Sequence, residues 1–146
     1  MSLNLDDALQ TFIVESRELL QQMEEALLQA EHCRDDGERI NAIFRAAHTI
    51  KGSAGLFGFD HVVAFTHGAE SVLDRLRNHE VVFDDALVVL LLEVCDHLGV
   101  LIALLAEKAT PDAATADRSA ILERRLAAYL APPAAAHEVK AGELTI

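Results

Sequence analysis

Apolar residues return every three or four positions along most of this chain, and that rhythm constrains the fold more than any other feature. Leu9, Phe12, Ile13, Leu19, Leu20, Met23 and Leu27 keep an i, i+3, i+4, i+7 spacing. One stripe of a 3.6-residue helix carries all of them, which predicts a long amphipathic first helix. Little interrupts the pattern further on, because 146 residues include only three prolines and seven glycines. The length fits one domain around a single core. Half of the residues are hydrophobic (51%) but only 5% are aromatic and tryptophan is absent, so the core must be built mainly from Leu, Ile, Val and Ala.

The elements follow from start and stop signals. Asn4 is the expected N-cap of the first helix, with Asp6 and Asp7 in a first turn whose dipole favours negative charge. Arg34-Asp35-Asp36-Gly37 breaks the pattern, and a second helix is expected from Gly37 to Leu56 with Ile40, Ile43, Phe44, Ala47 and Ile50 inward. Phe57-Gly58-Phe59 makes a tight connection, and Asp60 is the expected cap of a third helix running to Asn78, with Phe65, Ala69, Val72, Leu73 and Leu76 on its apolar side. A fourth helix, Asp84 to Lys108, is apolar over so wide an arc that it should be the most enclosed. A shorter fifth, Ala114 to Leu130, follows Thr110-Pro111-Asp112. Short loops between long helices predict an all-α fold, an antiparallel four-helix bundle with a fifth helix appended. Residues 1–131 form the expected domain, and 132–146, opening on Pro132-Pro133, a linker or tail.

Charge and cysteine usage exclude several function classes. A net charge of −12 argues against nucleic acid, since a phosphate backbone is bound by clustered Lys and Arg, and against an anionic membrane surface. Cys33 and Cys95 are isolated thiols with no metal-site spacing, compatible with a reducing cytoplasm. The acidic N-terminus has no signal-peptide pattern. The most apolar window, Ala86 to Leu105, is interrupted by Glu93, Asp96 and His97, and its uninterrupted runs are too short to span a bilayer.

The chemistry concentrates around His48. At about 100° per residue, His48 lies about 80–90° off the middle of the second helix's apolar face, on a rim partly packed and partly wet. Its helical neighbours are Phe44 and Gly52 at i±4, and Arg45 and Lys51 at i±3. Gly52, and Gly55 a turn further, strip side chains from the surface beside the ring, so that a bulky partner can approach. On the third helix Glu70 is also expected on a rim, with His67 one turn before it. If the two helices are antiparallel neighbours, Glu70 can accept the His48 Nδ1 proton and leave Nε2 as the nucleophilic nitrogen. Lys51 then supplies positive charge for a phosphoryl group on Nε2.

The segment His48-Thr49-Ile50-Lys51-Gly52-Ser53-Ala54-Gly55-Leu56-Phe57-Gly58-Phe59 closely resembles the phosphorylation segment of the histidine phosphotransfer (HPt) domain found at the N-terminus of CheA-type chemotaxis histidine kinases. Ile40-Asn41-Ala42-Ile43-Phe44-Arg45-Ala46-Ala47 extends the likeness upstream, and Thr66-His67, Glu70 and Leu73-Asp74 resemble the second site segment. Gln10-Thr11-Phe12 and Glu18-Leu19-Leu20 resemble the first helix, so that the likeness covers residues 3 to 131. Ser53 stands where the family commonly has a second glycine, and Gly68-Ala69 is smaller than the usual pair.

The resemblance implies a cytoplasmic phosphocarrier. His48 would be phosphorylated, Glu70 would orient it, and Lys51 and His67 would complete the network. Phe44, Arg45, Ala47, Gly52 and Gly55, with parts of the first helix, would form the docking face. The partners implied are a CheA-type kinase catalytic domain and a CheY/CheB-type response regulator. ATP and Mg²⁺ would belong to those partners, and no cofactor or metal to this chain, which has no Gly-rich nucleotide loop. The domain is expected to be monomeric and to have no activity alone. Two other classes remain: a pure interaction or dimerisation bundle, and a metal-binding bundle using His48, His67, Glu70 and His61 or His97.

Overall fold

The computed structural model describes residues 5–29 and 37–131. The expected cap Asn4, Cys33, the break at 34–36 and the tail 132–146 lie outside the described residues. Within them the chain forms five helices, α1 (Leu5–Gln29), α2 (Gly37–Leu56), α3 (Asp60–Arg77), α4 (Asp85–Ala106) and α5 (Ala113–Ala128). Each of α1 to α4 packs on its neighbours in a ring, α1 against α2 and α4, α2 against α3, and α3 against α4, while α5 lies across α3 and α4. This is the bundle with an appended helix that the periodicity predicts.

The apolar stripes meet in one core. Phe12, Ile13, Leu20, Met23 and Leu27 of α1 are buried against Ile40, Ile43, Ala47 and Ile50 of α2 and Phe65, Ala69, Val72, Leu73 and Leu76 of α3. Eleven residues of α4 are buried, which makes it the most enclosed element. Each large aliphatic side chain so buried contributes about 1.5–3 kcal/mol, and truncating Leu98 at its centre to alanine would cost about 2–5 kcal/mol. Contrary to the expectation that its apolar runs are too short, α4 is long and apolar enough to cross a membrane by length and composition. More than half of its apolar window is nonetheless buried inside the bundle.

Local chemistry sets the ends. Asp84 caps α4 by accepting the Leu87 N–H at 2.9 Å, and Asp112 caps α5 by accepting the Thr115 N–H at 2.8 Å. Asp60 is not the cap of α3: it is the first helical residue, and Phe59 occupies the cap position without a side-chain hydrogen bond. The turn just before it closes α2 through the backbone. Gly58 takes φ +74°, its N–H donates to the Gly55 carbonyl, and the Phe59 N–H donates to the Ala54 carbonyl. That pair of bonds is a Schellman ending, for which a residue in the left-handed region is required. Phe57 and Phe59 then pack on Phe12 of α1, with ring centroids 5.5 and 5.7 Å away, which fixes how α3 turns back along α2.

Candidate functional site

Because α3 packs back along α2, two side-chain stripes face each other across the seam. On α2 the stripe runs Phe44, His48, Lys51; on α3 it runs Glu70, Asp74, Arg77. The His48 side chain is 62% exposed, whereas that of Glu70 is only 9% exposed. Glu70 is therefore more deeply covered than the rim position expected from the helical wheel. It is drawn under the α2 side chains that cover it, and its carboxylate is shared between two of them. His48 Nδ1 bonds Oε2, and Lys51 Nζ stands 2.5 Å from Oε1.

The electrostatics of this triad decide the tautomer. Burial alone would push the Glu70 carboxyl up, but the hydrogen bonds and charges of Lys51 and His48 outweigh it and hold the carboxyl below its ordinary value. An ionised carboxylate has only acceptors. The proton of the bond must then sit on His48 Nδ1, and Nε2 is left with its lone pair on an exposed ring. Lys51, expected to sit against a group on Nε2, is engaged by Glu70 in this arrangement.

The ring is also held from the side. Phe44 stacks on it, with ring planes 10° apart and centroids separated by 6.0 Å. Arg77 lays its guanidinium over the Phe44 ring, 3.9 Å from the centroid, and its Nε donates to Asp74 Oδ1 at 3.0 Å. Sequence reasoning missed Arg77, which is two turns from Lys51's partner on α3. Its signal was only the i, i+7 spacing from Glu70.

The remaining expected residues separate into two groups. Gly52 and Gly55 are exposed, and a Cβ added at Gly52 would meet nothing within 4 Å. Arg45 is exposed beside them, and Leu56, 89% exposed, continues the His48–Gly52 stripe by another turn. Ala47, by contrast, is fully buried. It lies about 40° from Ile43, well inside the buried arc of α2, and has no part in an outward face. His67 is exposed, and among the described residues no hydrogen bond or ion pair joins it to His48 or Glu70. Gly68, between them, is where α5 packs: a methyl group there would touch Leu126 Cδ1 at 3.7 Å.

The donor set of the metal-binding alternative is not assembled. Among the described residues no group of three or more His, Cys, Asp and Glu is placed to hold an ion. His97 is buried on α4, where its Nε2 lies 2.6 Å from Ser119 Oγ of α5 and its ring makes a T-shaped contact with Phe65.

Known proteins of similar sequence and fold are histidine phosphotransfer domains. The chain is 41% identical over 115 residues to the chemotaxis protein CheA of Salmonella typhimurium, a match that covers 79% of this chain and 17% of that protein. It thus spans a small part of the length of the curated relatives it matches. Among solved structures it superposes on the CheA phosphotransferase domain from Thermotoga maritima with a TM-score of 0.67 and 32% identity, over 70% of this chain and 98% of that one. The phosphorylated P1 domain of CheA3 in complex with CheY6 from R. sphaeroides superposes with a TM-score of 0.73 over 84% of this chain and 98% of that one, at 24% identity, a likeness of fold. The Hpt domain family model matches residues 7–101, the stretch that contains both stripes of the site, and the chain belongs to the Hpt domain family.

Proposed function

We propose that the chain is the phosphocarrier domain of a chemotaxis kinase, with His48 Nε2 as the atom that accepts and donates the phosphoryl group. The observation that carries this reading is the pairing of an exposed imidazole with a buried, ionised carboxylate through Nδ1. In the loading step the Nε2 lone pair attacks the γ-phosphorus of ATP held by a partner kinase domain. The N–P bond forms as the P–O bond to ADP breaks, and the ring gains positive charge. The Nδ1 proton stays on the ring, where the Glu70 carboxylate faces that charge and stabilises it. In the unloading step an aspartate oxygen of a response regulator attacks the same phosphorus, the N–P bond breaks, and the imidazole leaves neutral.

The exposed face of Phe44, Arg45, Gly52, Gly55 and Leu56 is the docking surface for both partners, used in turn. A P1 domain of the same fold has been crystallised with CheY6, which supports a CheY-type regulator as one of them. ATP and Mg²⁺ are brought by the partners, and the exchange takes place in the cytoplasm. The phosphotransfer unit ends near Ala131, after α5.

The test is incubation with a CheA-type kinase domain and labelled ATP, followed by acid and base treatment. The expected label is acid-labile and base-stable, is lost in His48→Gln, and moves to a CheY-type regulator when one is added. Absence of label on the wild-type chain overturns the reading.

A further inference from the structure

One hydrogen bond does not fix an imidazole. The Nδ1–H···Glu70 bond selects which nitrogen faces the carboxylate, but the ring is free to roll about that bond. The second dihedral of histidine is broad and roughly two-fold, so rotamer preference alone does not stop this. An exposed ring that rolls weakens its own bond to Glu70 and swings Nε2 away from a fixed line of approach.

The structure supplies a second restraint. Phe44, one helical turn before His48, lies within 10° of parallel to the imidazole. Phe44 is only half-buried and would itself turn freely without support. The support comes from α3, where the Arg77 guanidinium lies 3.9 Å from the Phe44 centroid and is tied by its Nε to Asp74 at 3.0 Å. Planar groups that stack in this way hold each other's orientation as well as their separation. Glu70 and Arg77 are seven residues apart and therefore on one stripe of α3. Thus α3 grips the imidazole twice, once directly at Nδ1 and once through Phe44.

We propose that Arg77 and Phe44 are positioning residues for His48: Arg77 holds the Phe44 ring, and Phe44 sets the plane in which Nε2 is presented. The functional part of this inference rests on the phosphocarrier reading, while its geometric part concerns the imidazole alone. The prediction extends to the reaction with a donor too small to need docking. With phosphoramidate, Nε2 attacks phosphorus, the N–P bond of the donor breaks and ammonia leaves, so the rate reports on ring presentation and not on a partner surface.

The experiment uses the whole chain as Phe44→Leu, Phe44→Tyr, Arg77→Gln and wild type. Nitrogen-15 spectra of His48 read the tautomer, phosphoramidate labelling reads the rate, and thermal melting confirms the fold. In wild type the Nδ1–H form dominates. In Phe44→Leu and Arg77→Gln the two tautomers mix and labelling slows about three- to tenfold, the range expected from losing one aromatic or cation–π contact. Phe44→Tyr keeps the wild-type values. Should Phe44→Leu fail to fold, Arg77→Gln, which changes only a surface group, decides alone. Wild-type tautomer populations and rates in Arg77→Gln overturn the proposal. No label on wild-type His48 from either phosphoramidate or the kinase domain instead overturns the phosphocarrier reading, leaving the tautomer measurement to judge the geometry.

Discussion

Lys51 Nζ stands 2.5 Å from one oxygen of the Glu70 carboxylate while His48 Nδ1 holds the other. A cation and a nucleophile three residues apart on α2 thus share one anion supplied by α3. The positive charge keeps that anion ionised, and the ionised anion keeps the proton on Nδ1.

Removing the cation should move the pH dependence of the site. Lys51 lowers the Glu70 carboxyl, so in Lys51→Met the carboxyl rises and becomes protonated earlier as pH falls. The acid limb of phosphoramidate labelling should shift to higher pH in the variant relative to wild type. Coincident limbs would show that Lys51 does not govern the carboxylate.

Replacing the anion should slow the reaction and also cost stability. A charge-assisted hydrogen bond contributes about 1.5–3 kcal/mol, so Glu70→Ala should reduce labelling about ten- to a hundredfold. Because Glu70 is buried and Lys51 is left partly covered, the bundle should lose about 1–3 kcal/mol without losing its helical signal. In wild type this depressed carboxyl adds stability above its unfolded value of 4.5, which is lost as pH falls through the lower folded value. Circular dichroism melts of both chains at neutral pH check the first difference, and melts towards pH 3 the second.

Gly52 separates folding from docking. A Cβ there meets nothing within 4 Å, so Gly52→Ala should stabilise α2 by about 0.5–1 kcal/mol. Gly52→Trp should fold and lose far more of its labelling rate with the kinase domain than with phosphoramidate, which is too small to need docking. Equal rates with the kinase domain would remove Gly52 from the docking face.

His97 gives α5 a pH-dependent hold on the bundle. Burial first, and Arg118 second, push its imidazole below the ordinary value of 6.5. The folded state therefore binds fewer protons than the unfolded one as pH drops below 6.5, and stability falls with it. Wild type should lose melting temperature between pH 7 and pH 5 by more than His97→Gln does. Parallel curves for the two would contradict this.

His79 ends α3 in the left-handed region, at φ 62°, where its N–H donates to the Leu76 carbonyl and that of Glu80 to the Arg75 carbonyl. A side chain in that conformation costs about 1–2 kcal/mol. His79→Gly should recover about half of this after its own entropic loss, seen as a raised melting temperature. A lowered one would mean that the His79 side chain has contacts that outweigh its strain.

The helices were legible because their stripes are long and regular. Helix α2 begins and ends where Gly37 and Leu56 predict, and Phe65, Ala69, Val72, Leu73 and Leu76 all turn inward. The site was legible only as far as one helix at a time. Spacing placed His48 on an exposed edge and brought Glu70 to it across the seam. It did not reveal that Glu70 is covered, because the cover comes from side chains on another helix. Arg77 escaped for the same reason: its contact with Phe44 is a tertiary one between residues 33 positions apart in the sequence. For Ala47 the periodicity, which turns it inward, agrees with the structure, while the docking face that the resemblance implies does not, because its side chain is fully buried. The cap of α3 lies one residue before Asp60, at Phe59, whose carbonyl accepts the Val62 and Val63 N–H groups without any side-chain cap.

The tautomer of His48 is written by a residue that only the assembled bundle brings near. In an unfolded or loosened chain Glu70 is 22 residues away along a flexible backbone, and the imidazole reverts to the behaviour of any solvent histidine. Chemical competence and correct folding are then one property. A damaged copy of the domain would not send a wrong message; it would send a much fainter one.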